Sequence, residues 1–297
     1  MKRHALSLSL SLAVLLGPAA LAAEQSFPTP DAAAAALVDA LGTTKADDAK
    51  LSALFGKGWK SYVPADVDRA DVDAFLVGYG KSHRIDTRAD GTAVIAIGDG
   101  GWTFPVPLHK QGDGWRFDTA AGAVEMRARL IGRNELATVQ SARAYHDAQV
   151  EYALGDHDGD GVLEYARKII STDGQHDGLY WSDDDSGDIS PLGPLFADAK
   201  SGSDWHGYQF RILDGQGQSA PGGAFSYILG DNMSRGFALV AWPAKYGETG
   251  VMTFMISHDG EVFEKDIGPS TAKVASAMKV FDPDDSWTEV GDDGSGT

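Results

Sequence analysis

Few residues in this chain have types and spacing suited to chemistry, and most of them fall in one stretch, "DHDGDGVLEY", Asp156 to Tyr165. Calcium takes six to eight hard oxygen ligands, and a short loop with carboxylates on alternate residues can wrap one ion. Asp156, Asp158 and Asp160 stand at positions 1, 3 and 5 of such a loop, and Gly161 at position 6, where the chain must turn. The carbonyl of Val162 fits position 7 and Glu164 falls at position 9. Arg167 occupies position 12, where the longer calcium loops carry a bidentate glutamate, so the pattern predicts the shorter loop of extracellular calcium modules. The ligand set read from sequence is therefore Asp156, Asp158, Asp160, Val162 and Glu164, with Ca2+ as a structural cofactor. The competing reading is a solvated Asp/Gly turn. Mutual repulsion among closely spaced aspartates favours a cation between them.

Other chemistries find less footing. The histidines after the first turn of sequence, His83, His109, His146, His157, His176, His206 and His258, show no zinc-ligand spacing. No G-x-S-x-G nucleophile elbow and no phosphate-binding G-x-x-x-x-G-K-[ST] occurs. With no cysteine, thiol catalysis and disulfides are excluded. With 43 acidic residues, a paired-carboxylate hydrolase remains open, because that abundance makes any single pair uninformative. Asp173, Asp177 and the run Asp183 to Asp185 read better as solvated loop than as further ligands. Among the tryptophans, Trp115 and Trp242 sit in strand-like runs and read as core; Trp181, in "GLYWSDDD", is the better candidate for a surface platform, with core the stronger reading for it too.

These residues need elements to position them. The chain opens "MKRHALSLSLSLAVLLGPAALAAEQSF": a basic start, a short apolar run, and Ala20-Leu21-Ala22 as a cleavage site. Residues 1–22 read as a secretory signal peptide, which predicts a periplasmic or secreted protein with no membrane span after cleavage. A net charge of −18 repels phosphate backbones and argues against nucleic acid as a partner. Thr29-Pro30-Asp31 predicts a capped helix start, and "ADVDAFLVGYGKSH" a second helix. "TAVIAIG" and "GGWTFPVPLHKQGDGWRFDT" read as strands, the latter turning at Gly112 to Gly114. Residues 26–128 are thus expected to form an N-terminal α+β domain of helices and an antiparallel meander.

Residues 129–290 are expected to form a second α+β domain, and 291–297 a disordered tail. The second domain starts with the longest helix, from an N-cap at Asn134 to a stop at Gly155, with Leu136, Val139, Ala142, Ala144, Tyr145, Ala148 and Tyr152 on its apolar stripe. The acidic loop follows directly. "GYQFRIL", "FSYIL", "GFALVAWP", "VMTFMIS" and "EVFEKDI" read as strands of an antiparallel sheet, with a hairpin at Asp259-Gly260 and a last helix over Thr271 to Val280.

The words "GWTFPVPL", "GWRFDTAAG", "IGRNELA", "DGDGVLEYA", "DGLYW", "SPLGPL", "APGGAFSY", "GFALVAWPAKYGETGVMTF" and "DGEVFEKDIGP" occur in this order. Together they resemble the DUF2950 family of secreted bacterial proteins, which has no established function, over roughly residues 26–290. The resemblance implies an envelope location and transfers no catalytic residue. The second domain is also similar, more weakly, to type IV pilin-like and pseudopilin-like heads, through "AQVEYA", the loop and the strands that follow. Its helix is internal, without the apolar N-terminal stem of pilins. The expectation is a non-enzymatic protein with a structural calcium loop, binding an unidentified envelope protein or glycan or taking part in envelope assembly. The alternative is a secreted hydrolase of envelope glycans or peptides acting through paired carboxylates.

Overall fold

The computed structural model describes residues 25–63, 67–157, 159–182, 189–193 and 204–291. The leader expected at 1–22 and the tail beyond 291 lie outside them, as do Asp158 and the acidic run Asp183 to Asp185. Helices and mainly antiparallel sheets mix along the chain, the α+β class that the sequence predicts. The chain divides into two compact units, Met1–Glu125 and Met126–Thr297. No helix among the described residues is long and apolar enough to cross a membrane.

In the first unit, α1 (Pro30–Leu41) starts where its cap signal lies. Thr29 is extended, its Oγ1 accepts the Ala32 N–H at 3.1 Å, and Pro30 needs no donor partner in the first turn. Asp47 caps α2 (Asp48–Phe55), which the sequence reading did not single out. Asp68 and Asp71 form a reciprocal capping box on α3 (Arg69–Lys81). The strands are β1 (His83–Thr87), β2 (Ala93–Ile97), β3 (Trp102–Thr103), β4 (Leu108–Gln111) and β5 (Gly114–Phe117). They run in the order β1-β2-β4-β5, with β3 also on β2, and the β4–β5 hairpin turns at Gly112-Asp113 as predicted. Leu37, Leu54 and Phe55 from the helices and Ile95, Leu108 and Phe117 from the sheet are buried. The rings of Phe55 and Phe117 meet at 5.0 Å.

Helix α4 (Thr119–Tyr152) corrects two expectations. It begins at Thr119, not after Asn134. Asp118 supplies the cap, its Oδ1 accepting the Ala121 N–H at 2.9 Å. The intervening "AAGAVEMRARLI" is rich in good helix formers, so nothing stops the helix before Asn134. Asn134 is instead buried within the helix and donates to the Thr249 carbonyl at 2.8 Å. Leu136, assigned to the apolar stripe, is 68% exposed, while Val139, Ala142, Tyr145, Ala148 and Tyr152 are buried.

The sheet of the second unit has the order β15 (Thr288–Glu289), β13 (Val262–Lys265), β12 (Thr253–Ser257), β11 (Ala238–Pro243), β6 (Tyr208–Leu213). Strands β11 and β12 are buried at every position, which is why they read as unbroken apolar runs. The expected strand "FSYIL" splits at Tyr227 into β8 (Phe225–Ser226) and β9 (Ile228–Leu229). The Tyr227 ring is fully buried and its hydroxyl bonds Gln216 Oε1, in β7 (Gly215–Gln216), at 3.1 Å. β9 turns at Gly230-Asp231 into β10 (Asn232–Met233). The last helix, α5 (Thr271–Ala275), is shorter than expected, because Val280 and Phe281 leave it to form β14 (Val280–Phe281) beside β7.

Candidate functional site: the acidic loop and its dock

Helix α4 ends in tightened turns: the Leu154 N–H reaches the Glu151 carbonyl and the Gly155 N–H the Tyr152 carbonyl. His157 then folds back. Its Nε2 lies 3.0 Å from the Tyr152 carbonyl and its ring stacks on the Tyr152 ring at 4.1 Å. This fixes the first residues of the acidic loop against the helix end.

Within the loop, Asp156 collects backbone donors. Its Oδ1 accepts the Gly159 N–H at 2.7 Å and its Oδ2 the Gly161 N–H at 2.9 Å. Gly159 and Gly161 have φ of 78° and 86°, a region that glycine enters at little cost. Asp160 Oδ1 accepts the Val162 N–H at 2.7 Å. Further contacts come from β9–β10, about seventy residues further along the chain. Asn232 Nδ2 donates to Asp160 Oδ2 at 2.7 Å, and the Met233 N–H to Glu164 Oε2 at 3.2 Å. Backbone pairing continues the dock: the Tyr165 N–H bonds the Met233 carbonyl at 2.8 Å, and Arg167 donates to the Asp231 carbonyl at 3.2 Å.

The far end of the segment is clamped in the core. Gln149, fully buried on α4, uses its Oε1 to accept the Ala166 N–H at 2.8 Å. Its Nε2 donates to the Ala166 carbonyl at 2.8 Å and to the Tyr145 hydroxyl at 2.9 Å. The side-chain amide thus satisfies both backbone groups of one buried residue. Burial pushes the Tyr145 hydroxyl far above its ordinary pKa, so it remains a neutral partner.

Of the five ligands expected from sequence, four are among the described residues. Asp156, Asp160 and Glu164 have carboxylates held by backbone amides and by Asn232, and Val162 contributes its N–H to the turn. No three His, Asp or Glu side chains among the described residues form a group that could hold a metal ion, and Asp158 lies outside them. The oxygens are the hard donors calcium takes. Asn232 adds a side-chain amide whose oxygen and nitrogen could exchange places about the terminal bond. Its part was not legible in the sequence beyond the turn signal Gly230-Asp231 before it.

Trp181 takes the core reading and not the surface one. It is only 7% exposed and stacks on the His176 ring at 4.2 Å, so it serves the core rather than forming a surface platform. Trp242 is buried as expected and Trp115 half-buried. Asp177 is a structural residue: it accepts from Lys168 Nζ and from the Thr172 N–H. His146 lies half-buried on α4, with Nε2 3.3 Å from the His258 carbonyl. Glu135 and Glu264 come into electrical contact. Burial, then the charge of Glu135, raises the Glu264 carboxyl above its ordinary pKa. Glu135 itself accepts the Val251 and Met252 N–H groups at 2.9 and 3.0 Å.

The chain matches the family described as "Protein of unknown function (DUF2950)" over residues 24–290, nearly its whole length. No curated protein and no solved structure matches it.

Proposed function

We propose that this chain, which belongs to the DUF2950 family, is a secreted or periplasmic, non-enzymatic protein that binds or assembles in the cell envelope around a calcium-holding acidic loop. The observation that supports the calcium reading is the Asp156 carboxylate, which gathers the Gly159 and Gly161 amides and so curls the loop. The ligands would be those read from the sequence: Asp156, Asp158, Asp160, the Val162 carbonyl and Glu164. Its role would be structural, tying the end of α4 to the β9–β10 hairpin. The signal-like start supports the location, and the acidic charge disfavours nucleic acid as partner. The order of long helix, loop and antiparallel sheet supports reading the second unit as pilin-like. The partner is then an envelope protein or glycan.

Thermal melting in calcium against chelator tests this, with an Asp156→Ala/Asp158→Ala variant beside the wild type. At ten times Kd, linkage gives about 1.4 kcal/mol, a shift of a few degrees. The shift is expected in the wild type and absent in the variant. Identical melting of the wild type in calcium and chelator overturns the calcium reading.

A second reading, a secreted hydrolase of glycans or peptides, is favoured by the raised Glu264 carboxyl beside Glu135. A carboxyl whose proton affinity is raised by burial and by a neighbouring carboxyl charge is the kind of group such enzymes use as the acid. Turnover of an envelope glycan or peptide that Glu264→Gln abolishes, with the fold retained, would favour it over the first.

A further inference from the structure

The two edges of the sheet in the first unit differ. Beyond β5, Phe27 exchanges both backbone hydrogen bonds with Trp115, at 2.8 and 2.7 Å, and closes that edge. At the opposite edge, β1 pairs only with β2 among the described residues. An exposed edge strand is a template for a further strand, and proteins usually guard it with charge, proline or a bulge. β1 is regular, carries no proline, and holds its two charges in a particular arrangement: His83-Arg84-Ile85-Asp86-Thr87.

The ladder decides which backbone groups face outward. At its ends the Gly98 N–H bonds the Ser82 carbonyl and the Arg88 N–H bonds the Thr92 carbonyl. Hydrogen-bonded pairs alternate along an antiparallel ladder, so Arg84 and Asp86 turn their backbone groups toward β2. His83, Ile85 and Thr87 turn theirs to the open edge. We infer that this edge pairs with β1 of a second copy of the chain, antiparallel and centred on Ile85. In that register Ile85 faces Ile85 of the second copy, and His83 faces Thr87, each in a hydrogen-bonded position. Arg84 then faces Asp86 of the second copy in the closely spaced, non-hydrogen-bonded position, and Asp86 faces Arg84. The strand is self-complementary in both backbone and charge. A slip of two residues either way sets Arg84 against Arg84 or Asp86 against Asp86, which penalises the competing registers. The side chains are available for this, at 51% and 41% exposure, though each already touches the other within its own strand at 2.9 Å.

The surroundings fit a two-fold axis at this edge. Helix α3 packs over β1 and β2, where Gly78 comes so close to Ile97 that a Cβ would overlap it. Phe75 of α3 faces Trp102 and Phe104. Edge-to-edge pairing about a two-fold axis brings the two α3 helices to the same face of the joined sheet.

Sedimentation velocity of the full chain over a concentration series tests the proposal. The wild type is expected to show a monomer–dimer equilibrium. Arg84→Asp should weaken the dimer by about tenfold or more, and Arg84→Asp/Asp86→Arg should restore it. Ile85→Pro should abolish the dimer while leaving the circular dichroism spectrum near wild type, because the lost N–H faces away from β2. If that variant fails to fold, the charge reversal and its rescue still decide. A wild type that stays monomeric at every soluble concentration overturns the proposal, as does a dimer that none of these substitutions weakens.

Discussion

The segment from Gln149 to Ala166 is held at two places in opposite ways. At its ends, a buried amide satisfies both backbone groups of Ala166 inside the core. In its middle, exposed carboxylates gather amides from glycines and from β9–β10 in contact with solvent. A hydrogen bond exchanged against water contributes little, while a buried group stripped of its partner costs its full desolvation. The clamp therefore carries stability, and the loop between is free to carry function. A loop whose shape rests on weak exposed contacts can accept an ion without a large rearrangement of the core.

Substitutions should separate the two. The largest loss is expected from Gln149→Leu, which strands the Ala166 N–H and carbonyl inside the core, at about 3 kcal/mol by denaturant unfolding. Asp177→Asn, in the neighbouring loop, is expected to cost about 1 kcal/mol at neutral pH. Burial opposes ionisation of Asp177, but hydrogen bonds from Lys168 and Thr172 outweigh it, and its pKa lies below the ordinary value. Its contribution is therefore present above the unfolded-state value of about 3.9 and fades as pH falls through the lower folded value. Unfolding curves of wild type and variant should converge in acid, and a constant gap would contradict the assignment. Gly161→Ala forces a side chain into a left-handed position and is expected to cost about 1 kcal/mol, seen in chelator. The smallest effect belongs to Asp156→Asn without calcium, about 0.5 kcal/mol, since an amide oxygen still accepts one of the two N–H groups. If Asp156→Asn cost as much as Gln149→Leu, the contrast between buried clamp and exposed loop would fail.

Much of the local structure was legible because its causes are local. Thr29-Pro30 starts α1, Gly112-Asp113 turns β4 into β5, and Asp259-Gly260 links the runs that become β12 and β13. The acidic loop was visible as well, as alternating aspartates closed by Gly161. Positions whose meaning depends on a distant partner were misread. Asn134 has the chemistry of a cap, yet it sits inside α4 because Thr249 offers it a buried acceptor and Asp118 had already started the helix.

The sequence by itself determined the element types, most turns, the α+β class and the spacing of the loop carboxylates, because propensity and period act within a few residues. Tertiary structure alone decided that Asn232 and Met233 dock the loop, that Gln149 clamps Ala166, and that among the described residues β1 lies at an open edge while Phe27 closes the other. Those outcomes depend on which buried polar groups find partners across long stretches of chain, and no local pattern encodes that choice.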